Sequence, residues 1–146
     1  MWNYINDNLS ASDFMKKVDY FHDSCIKEMK YLSGAYVQEY FAMYPVNDKR
    51  LLCVIIQLQK REMPMVELVF EGLHYLKLFP ADEEYTCEIL NSAMFFMDDC
   101  IYWCDSGDVC EENLNSYEGT LICAKTLRWR IVEGCMGEDE FYRPIK

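Results

Sequence analysis

The sequence predicts a single α+β domain over residues 1–146, built on a mainly antiparallel sheet of about six or seven strands with one or two helices. Three observations predict it. Strand-sized runs of apolar or alternating residues recur along the chain and are joined mainly by short turns. A sustained three- and four-residue apolar spacing appears near the N-terminus. No helix of crossover length separates the later strands, so a doubly wound parallel sheet is not expected. An open, a curled and a partly closed barrel-like sheet all fit this pattern. A chain of 146 residues that is 51% hydrophobic and 15% aromatic can bury an ordinary core without disulfide or metal staples.

Residues 9–20 read as the first helix, with Phe14, Met15, Val18 and Phe21 at helical spacing and Ser10 or Ser12 available as a cap. His22-Asp23-Ser24 interrupts that pattern. Cys25, Met29 and Tyr31 then alternate while Ile26 falls on the other parity, which fits a bulged strand or a short helix; a strand ending near Gly34 is preferred. Residues 40–50 carry Pro45 and Asn47-Asp48 and read as a loop. Residues 51–59 are apolar on both parities at first, as in a central strand covered on both faces. After a polar turn at 60–63, Val66, Leu68 and Phe70 alternate with Glu67 and Glu71. Gly72 marks a bulge or bend, and the strand resumes over 73–79. Residues 80–84 turn. Strands over 85–97 and 100–105 flank Asp98-Asp99 as a hairpin. Asp108 is placed to cap a short helix through Glu111, Glu112 and Leu114, closed near Gly119. The last strand covers 120–132, with Leu127, Trp129 and Ile131 inward and Arg128 and Arg130 outward. The ends, residues 1–8 and 134–146, are expected to be loosely held.

The formal net charge is −11, from 25 acids against 14 bases. All of that imbalance lies in residues 78–124, which hold eleven acids and neither lysine nor arginine; the rest of the chain carries 14 acids and 14 bases. The same stretch contains Phe79, Tyr85, Met94, Phe95, Phe96, Ile101, Tyr102 and Trp103, so it is an acidic surface on a folded segment rather than a disordered tail. Such a surface repels nucleic acid and anionic membranes and suits a basic protein such as a toxin, or serves solubility alone. Asp98, Asp99, Asp105, Asp108, Glu111 and Glu112 would supply the field and Tyr102 and Trp103 the aromatic anchors. In the alternative arrangement Tyr102 and Trp103 straddle the sheet, one in the core and the other covering the outer face.

The first residues lack the basic and apolar regions of an export signal, and no run approaches the roughly 18 apolar residues of a membrane span. A cytoplasmic location is therefore expected, with the eight cysteines reduced and mostly buried among apolar neighbours.

Residues able to carry chemistry are few. His22, Asp23 and Ser24 are the residue types of a hydrolytic triad, but three consecutive residues cannot fold back on one another as base, orienter and nucleophile. Loop-holding hydrogen bonds and capping suit them better. Cys100 and Cys104 have the gap of a zinc knuckle, but no second knuckle follows, only the lone Cys110 nearby, so the ligand count is incomplete and no metal is expected. No phosphate-binding, dinucleotide-binding, nucleophile-elbow or metalloprotease pattern is present, and no cofactor is expected.

Phe21-His22-Asp23-Ser24-x-Ile26, followed by a strand pair and then Phe70-Glu71-Gly72-Leu73-x-x-Leu76, resembles a widespread group of small uncharacterised bacterial proteins. The resemblance spans about residues 20–130. Some members of similar appearance lie beside polymorphic-toxin genes and are regarded as immunity proteins. It implies a small bacterial cytoplasmic α+β domain with an immunity role, and it carries over no catalytic residue.

Two functions follow as expectations. The first is a non-enzymatic binding protein of immunity type that sets its acidic face against a basic partner. The second is a small-molecule-binding or enzymatic domain with a pocket near His22 and Asp23. An enzyme needs a histidine in a concave polar pocket, whereas a binder needs its acids exposed.

Overall fold

The computed structural model describes residues 1–84 and 89–144. The opening residues 85–88 of the strand predicted over 85–97, with Cys87 and Glu88 among them, lie outside the described residues.

The chain begins with β1 (Asn3–Ile5) and α1 (Asn8–Lys17). The helix is capped by Asp7 rather than by a serine. Asp7 Oδ1 accepts from the Ser10 backbone N–H at 2.7 Å, and Ser10 Oγ accepts in return from the Asp7 N–H at 3.1 Å. This reciprocal box satisfies two of the donors that a helix start leaves open. Ala11, Phe14 and Met15 form its buried face, and Lys16 and Lys17 occupy the last turn, where the helix dipole favours cations.

β2 (Ser24–Leu32) follows, then a small ribbon of β3 (Tyr36–Val37) and β4 (Met43–Tyr44), then β5 (Leu51–Leu58), β6 (Met65–Lys77), β7 (Ala93–Met97), β8 (Cys100–Cys104) and β9 (Leu121–Ile131). The main sheet has seven strands in the order β2-β5-β6-β9-β8-β7, with β1 added on β9. All its pairings are antiparallel, and the sheet is not closed into a barrel. β9 gives one edge to β6 and divides the other: residues 127–129 pair with β1 and residues 121–124 with β8. The β2 bulge lies between Ile26 and Glu28. β6 bends at Gly72, whose φ of +63° is costly for residues with a Cβ, and a register shift follows between Leu73 and Tyr75.

Alternation builds two faces. Val54, Ile56, Val66, Leu68, Phe70, Ile101, Trp103, Leu127 and Trp129 point to the side where α1 adds Phe14, Met15 and Val18. On the opposite side the loop over 105–120 lays Val109 and Leu114 on Tyr102, Cys104, Leu121 and Cys123, making a second, smaller core. The same side of β2, β5 and β6 meets the C-terminal segment. Glu28 Oε1 accepts from the backbone N–H groups of Phe141 and Tyr142 at 2.7 and 2.8 Å, and Lys27 Nζ donates to Gly137 O at 2.8 Å. Covering on both faces is what the doubly apolar run at 51–59 predicts.

Three sequence expectations are corrected. The loop over 40–50 contains β4, which pairs with β3. The helix after Asp108 is absent: turns and a short 3-10 segment at Leu114–Ser116 replace it. Asn113 accepts from the Cys110 N–H at 2.8 Å and donates to Asp108 O at 2.9 Å, side-chain bonds that compete with a helical ladder. Val109 and Leu114 must also share one core, and five positions on a helix are about 140° apart. Finally, Ile131 is 39% exposed at the end of β9 rather than inward. No helix among the described residues is long and apolar enough to cross a membrane.

Candidate functional site

β7 and β8 pair from Ala93 with Cys104 to Met97 with Cys100. Asp98 and Asp99, at φ +51° and +59°, close them in a tight turn of the kind that aspartate tolerates. Both side chains are exposed, as are Asp108, Glu111 and Glu112. The second set lies beyond the other end of β8, about 15 Å along the strand from the first. The predicted acids therefore form two groups.

Asp105 behaves differently. It is half-buried, and its Oδ1 accepts a short hydrogen bond from the Tyr117 hydroxyl. Gly119 makes this approach possible, since a Cβ there would collide with the hydroxyl and lie 2.8 Å from Asp105 Oδ1. Burial, reinforced by the Asp105 carboxylate, pushes the Tyr117 hydroxyl above its ordinary range.

No ion pair among the described residues reaches Asp98, Asp99, Asp105, Asp108, Glu111 or Glu112. The arginines nearest in sequence are engaged elsewhere: Arg128 Nε lies 3.0 Å from Glu71 and Arg130 Nε 2.6 Å from Glu67. The two expected aromatic anchors are not on the surface. Trp103 is 0% exposed in the main core and Tyr102 is 9% exposed in the second, so they straddle the sheet.

The His22-Asp23 region is a turn of unusual backbone. Asp19, Tyr20, Phe21 and Asp23 all have φ between +52° and +56°. Each such residue costs about 1–2 kcal/mol, so neighbouring contacts must hold the turn. Phe21 is fully buried. Ser92 bonds Tyr20 O through both its N–H and its hydroxyl, each at 2.9 Å, and Ser24 Oγ donates to Phe21 O at 2.5 Å. His22 Nδ1 donates to Leu90 O at 2.6 Å, and its Nε2 lies 3.3 Å from Asp23. These residues fasten the 89–92 segment beside the start of β2, where Ile89 also pairs with Ser24. With Ser24 2% exposed and its hydroxyl directed at a backbone carbonyl, no triad is assembled. His22 and Asp23 line none of three cavities of about 360, 330 and 330 Å³. His74 is exposed on β6.

Seven cysteines are described, of which Cys53, Cys100, Cys104, Cys110, Cys123 and Cys135 carry free thiols. Cys104 and Cys123 are buried, Cys25, Cys53, Cys100 and Cys135 are half-buried, and Cys110 is exposed. The expectation of mostly buried thiols is thus corrected: of the described cysteines only Cys104 and Cys123, in the smaller core under the 105–120 loop, are fully enclosed. Among the described residues no group of three or more His, Cys, Asp or Glu is placed to hold a metal ion. Burial pushes the Cys104 thiol from 9.0 up to about 12, with Asp105 adding to it, and burial also raises Cys123 and Cys53. Their protonated forms are favoured in the folded state. The associated stability is complete below about pH 9 and is lost as pH rises from there towards 12. Urea titrations at increasing pH should show the midpoint falling above about pH 9, with Cys110 the fastest thiol to react with a disulfide reagent below it. A midpoint flat through that range would contradict this.

An exposed aromatic surface lies on and beside a segment whose sequence reads in part as a loop. On and beside the β3–β4 ribbon, Tyr36, Tyr40, Phe41 and Met43 are 55–89% exposed, with Tyr36 stacked on Tyr44 at 5.2 Å. The available signal was the density of aromatics over 36–44, which a solvated loop does not need. No protein-family model, curated protein or solved structure matches this chain.

Proposed function

We propose that the protein is a non-enzymatic binding protein of the immunity type, which acts in the cytoplasm and sets an acidic surface against a basic protein partner such as a toxin. The observation that carries this reading is the set of exposed acids left without ion pairs among the described residues, on a stretch with no lysine or arginine, while Arg128 and Arg130 are held by Glu71 and Glu67. Exposed like charges repel one another, and a cationic surface relieves that repulsion. The two acid groups at either end of β8 would steer a partner's approach more than they would grip it. The immunity assignment itself rests on the resemblance carried by Phe21–Ile26 and Phe70–Leu76. The enzymatic alternative draws no support from the placement of His22, Asp23 and Ser24.

The test is association with the product of the neighbouring gene. Replacing Asp98, Asp99, Asp108 and Glu111 by their amides leaves the Asp105–Tyr117 bond in place. The variant should stay folded and lose about tenfold in association rate at low salt, with the difference vanishing at high salt. Equal rates at every ionic strength would leave the acids a solubilising role only.

A further inference from the structure

The cavity of about 360 Å³ lies inside the acidic stretch for most of its wall: Leu78, Phe79, Ile89, Asp105 and Thr120 belong to residues 78–124, and Ile26 closes it. We propose that this cavity receives a lysine or arginine side chain of the basic partner, its aliphatic stem against the apolar wall and its cation on Asp105. The inference rests on the reading of the partner as a basic protein.

The chemistry of the wall selects the occupant. Thr120 Oγ accepts from the Phe79 N–H at 3.1 Å and lies 3.4 Å from Phe79 O, so its hydrogen-bonding capacity is engaged within the protein. Asp105 has one lone pair taken by Tyr117 and no cation beside it among the described residues. A carboxylate offers roughly four acceptor sites, so it retains room for a charged donor. A wholly apolar occupant would strip water from that carboxylate without replacing it, and an anion would be repelled. A cation on an apolar stem satisfies both parts of the wall. Tyr117 holds the carboxylate in place, and the space that Gly119 leaves admits its hydroxyl.

The size and setting favour a side chain over a free metabolite. The volume is at the low end of the roughly 300–1,000 Å³ of small-molecule sites. Leu78 and Phe79 are 53% and 54% exposed, so the wall opens onto the surface where a partner's backbone would pass. Asp82, Glu83 and Glu84 follow immediately and are exposed, extending the negative rim for further cations of the same partner.

Nα-acetyl-arginine amide is the probe, with Nα-acetyl-norleucine amide as its neutral counterpart and agmatine as a free cation. Binding is read from the labelled methyl signals of Ile26 and Ile89. The arginine probe should give saturable shifts at both residues, and norleucine at least tenfold weaker ones. Asp105→Asn should weaken the arginine probe at least tenfold. Should that variant disturb the Tyr117 loop, Ala81→Leu, which adds bulk at an exposed position lining the cavity, should do the same with the fold intact. Absence of shifts at Ile26 and Ile89, equal binding of norleucine, or indifference to both variants overturns the proposal. Agmatine binding tenfold more tightly than the capped arginine also overturns it, by assigning the cavity to a free amine. The two readings separate cleanly: the amide variants of Asp98, Asp99, Asp108 and Glu111 alter association rate, whereas the cavity variants should speed dissociation at least tenfold.

Discussion

Replacing Trp103 by alanine is expected to lower the unfolding free energy by about 3–5 kcal/mol, a large share of the roughly 5–15 kcal/mol of an ordinary domain. The indole is fully buried, faces Phe21 edge-on at 6.4 Å and stands between Met94 and Ile122 in neighbouring strands. Its loss would empty the region where Phe21 anchors the left-handed turn, so local and global effects should appear together. Trp103 also carries a cost of its own, because Nε1 is buried with no hydrogen-bond partner among the described residues. An orphaned donor of this kind costs about 1–3 kcal/mol. Trp103→Phe should therefore lose markedly less than its reduced volume alone implies, since it removes the orphan together with part of the ring. Urea unfolding of the three proteins, followed by circular dichroism, measures the difference. A loss for phenylalanine as large as its reduced volume alone implies would show that the unpaired donor carries no penalty.

The parts of this fold that were legible are those in which a residue's neighbours in sequence determine its environment. Val66, Leu68 and Phe70 against Glu67 and Glu71 identify a strand and its faces, and the doubly apolar run at 51–59 identifies a strand covered on both sides. Gly72 announces the bend in β6 because it can hold φ +63°. Ser10 was visible as part of a cap, although the cap itself is Asp7, one end of a reciprocal pair whose ends read alike in sequence. What escaped depends on distant contacts. The turn at Asp19–Asp23 is stabilised by Ser92 and Leu90, which lie about seventy positions away. Asp108 to Leu114 has the composition of a helix, yet the second core demands Val109 and Leu114 on one side. Strand alternation alone offered Tyr102 and Trp103 on opposite faces, but which cores cover them depends on α1 and on the 105–120 loop. Asp105 was visible as one acid among many. Its distinction comes from Tyr117, Gly119 and a wall that includes Ile26, none of which its local sequence announces.

Arg130→Met is expected to destabilise the protein by about 2–3 kcal/mol, below the 3–5 kcal/mol of a fully buried pair because the arginine side chain is 39% exposed. Glu67 and Arg130 are direct cross-strand partners on β6 and β9, 2.6 Å apart, and the glutamate is 5% exposed. Its other oxygen accepts from the Tyr142 hydroxyl at 3.0 Å, while Trp2 covers the guanidinium at 4.7 Å. Removing the arginine leaves a desolvated carboxylate with a neutral donor as its remaining partner among the described residues, so the penalty comes from the stranded charge more than from the lost attraction. That account makes a second, less intuitive demand. Glu67→Leu combined with Arg130→Met should recover to within about 1 kcal/mol of the native protein, because two apolar side chains pair across the strands without a desolvated ion. Tyr142→Phe belongs in the same background, since its hydroxyl would otherwise be left without its carboxylate. A double-mutant cycle in urea then measures the coupling directly. Strictly additive losses, or single-variant losses below about 0.5 kcal/mol, would mean that the pair acts as an ordinary surface salt bridge and that the C-terminal segment does not enclose it.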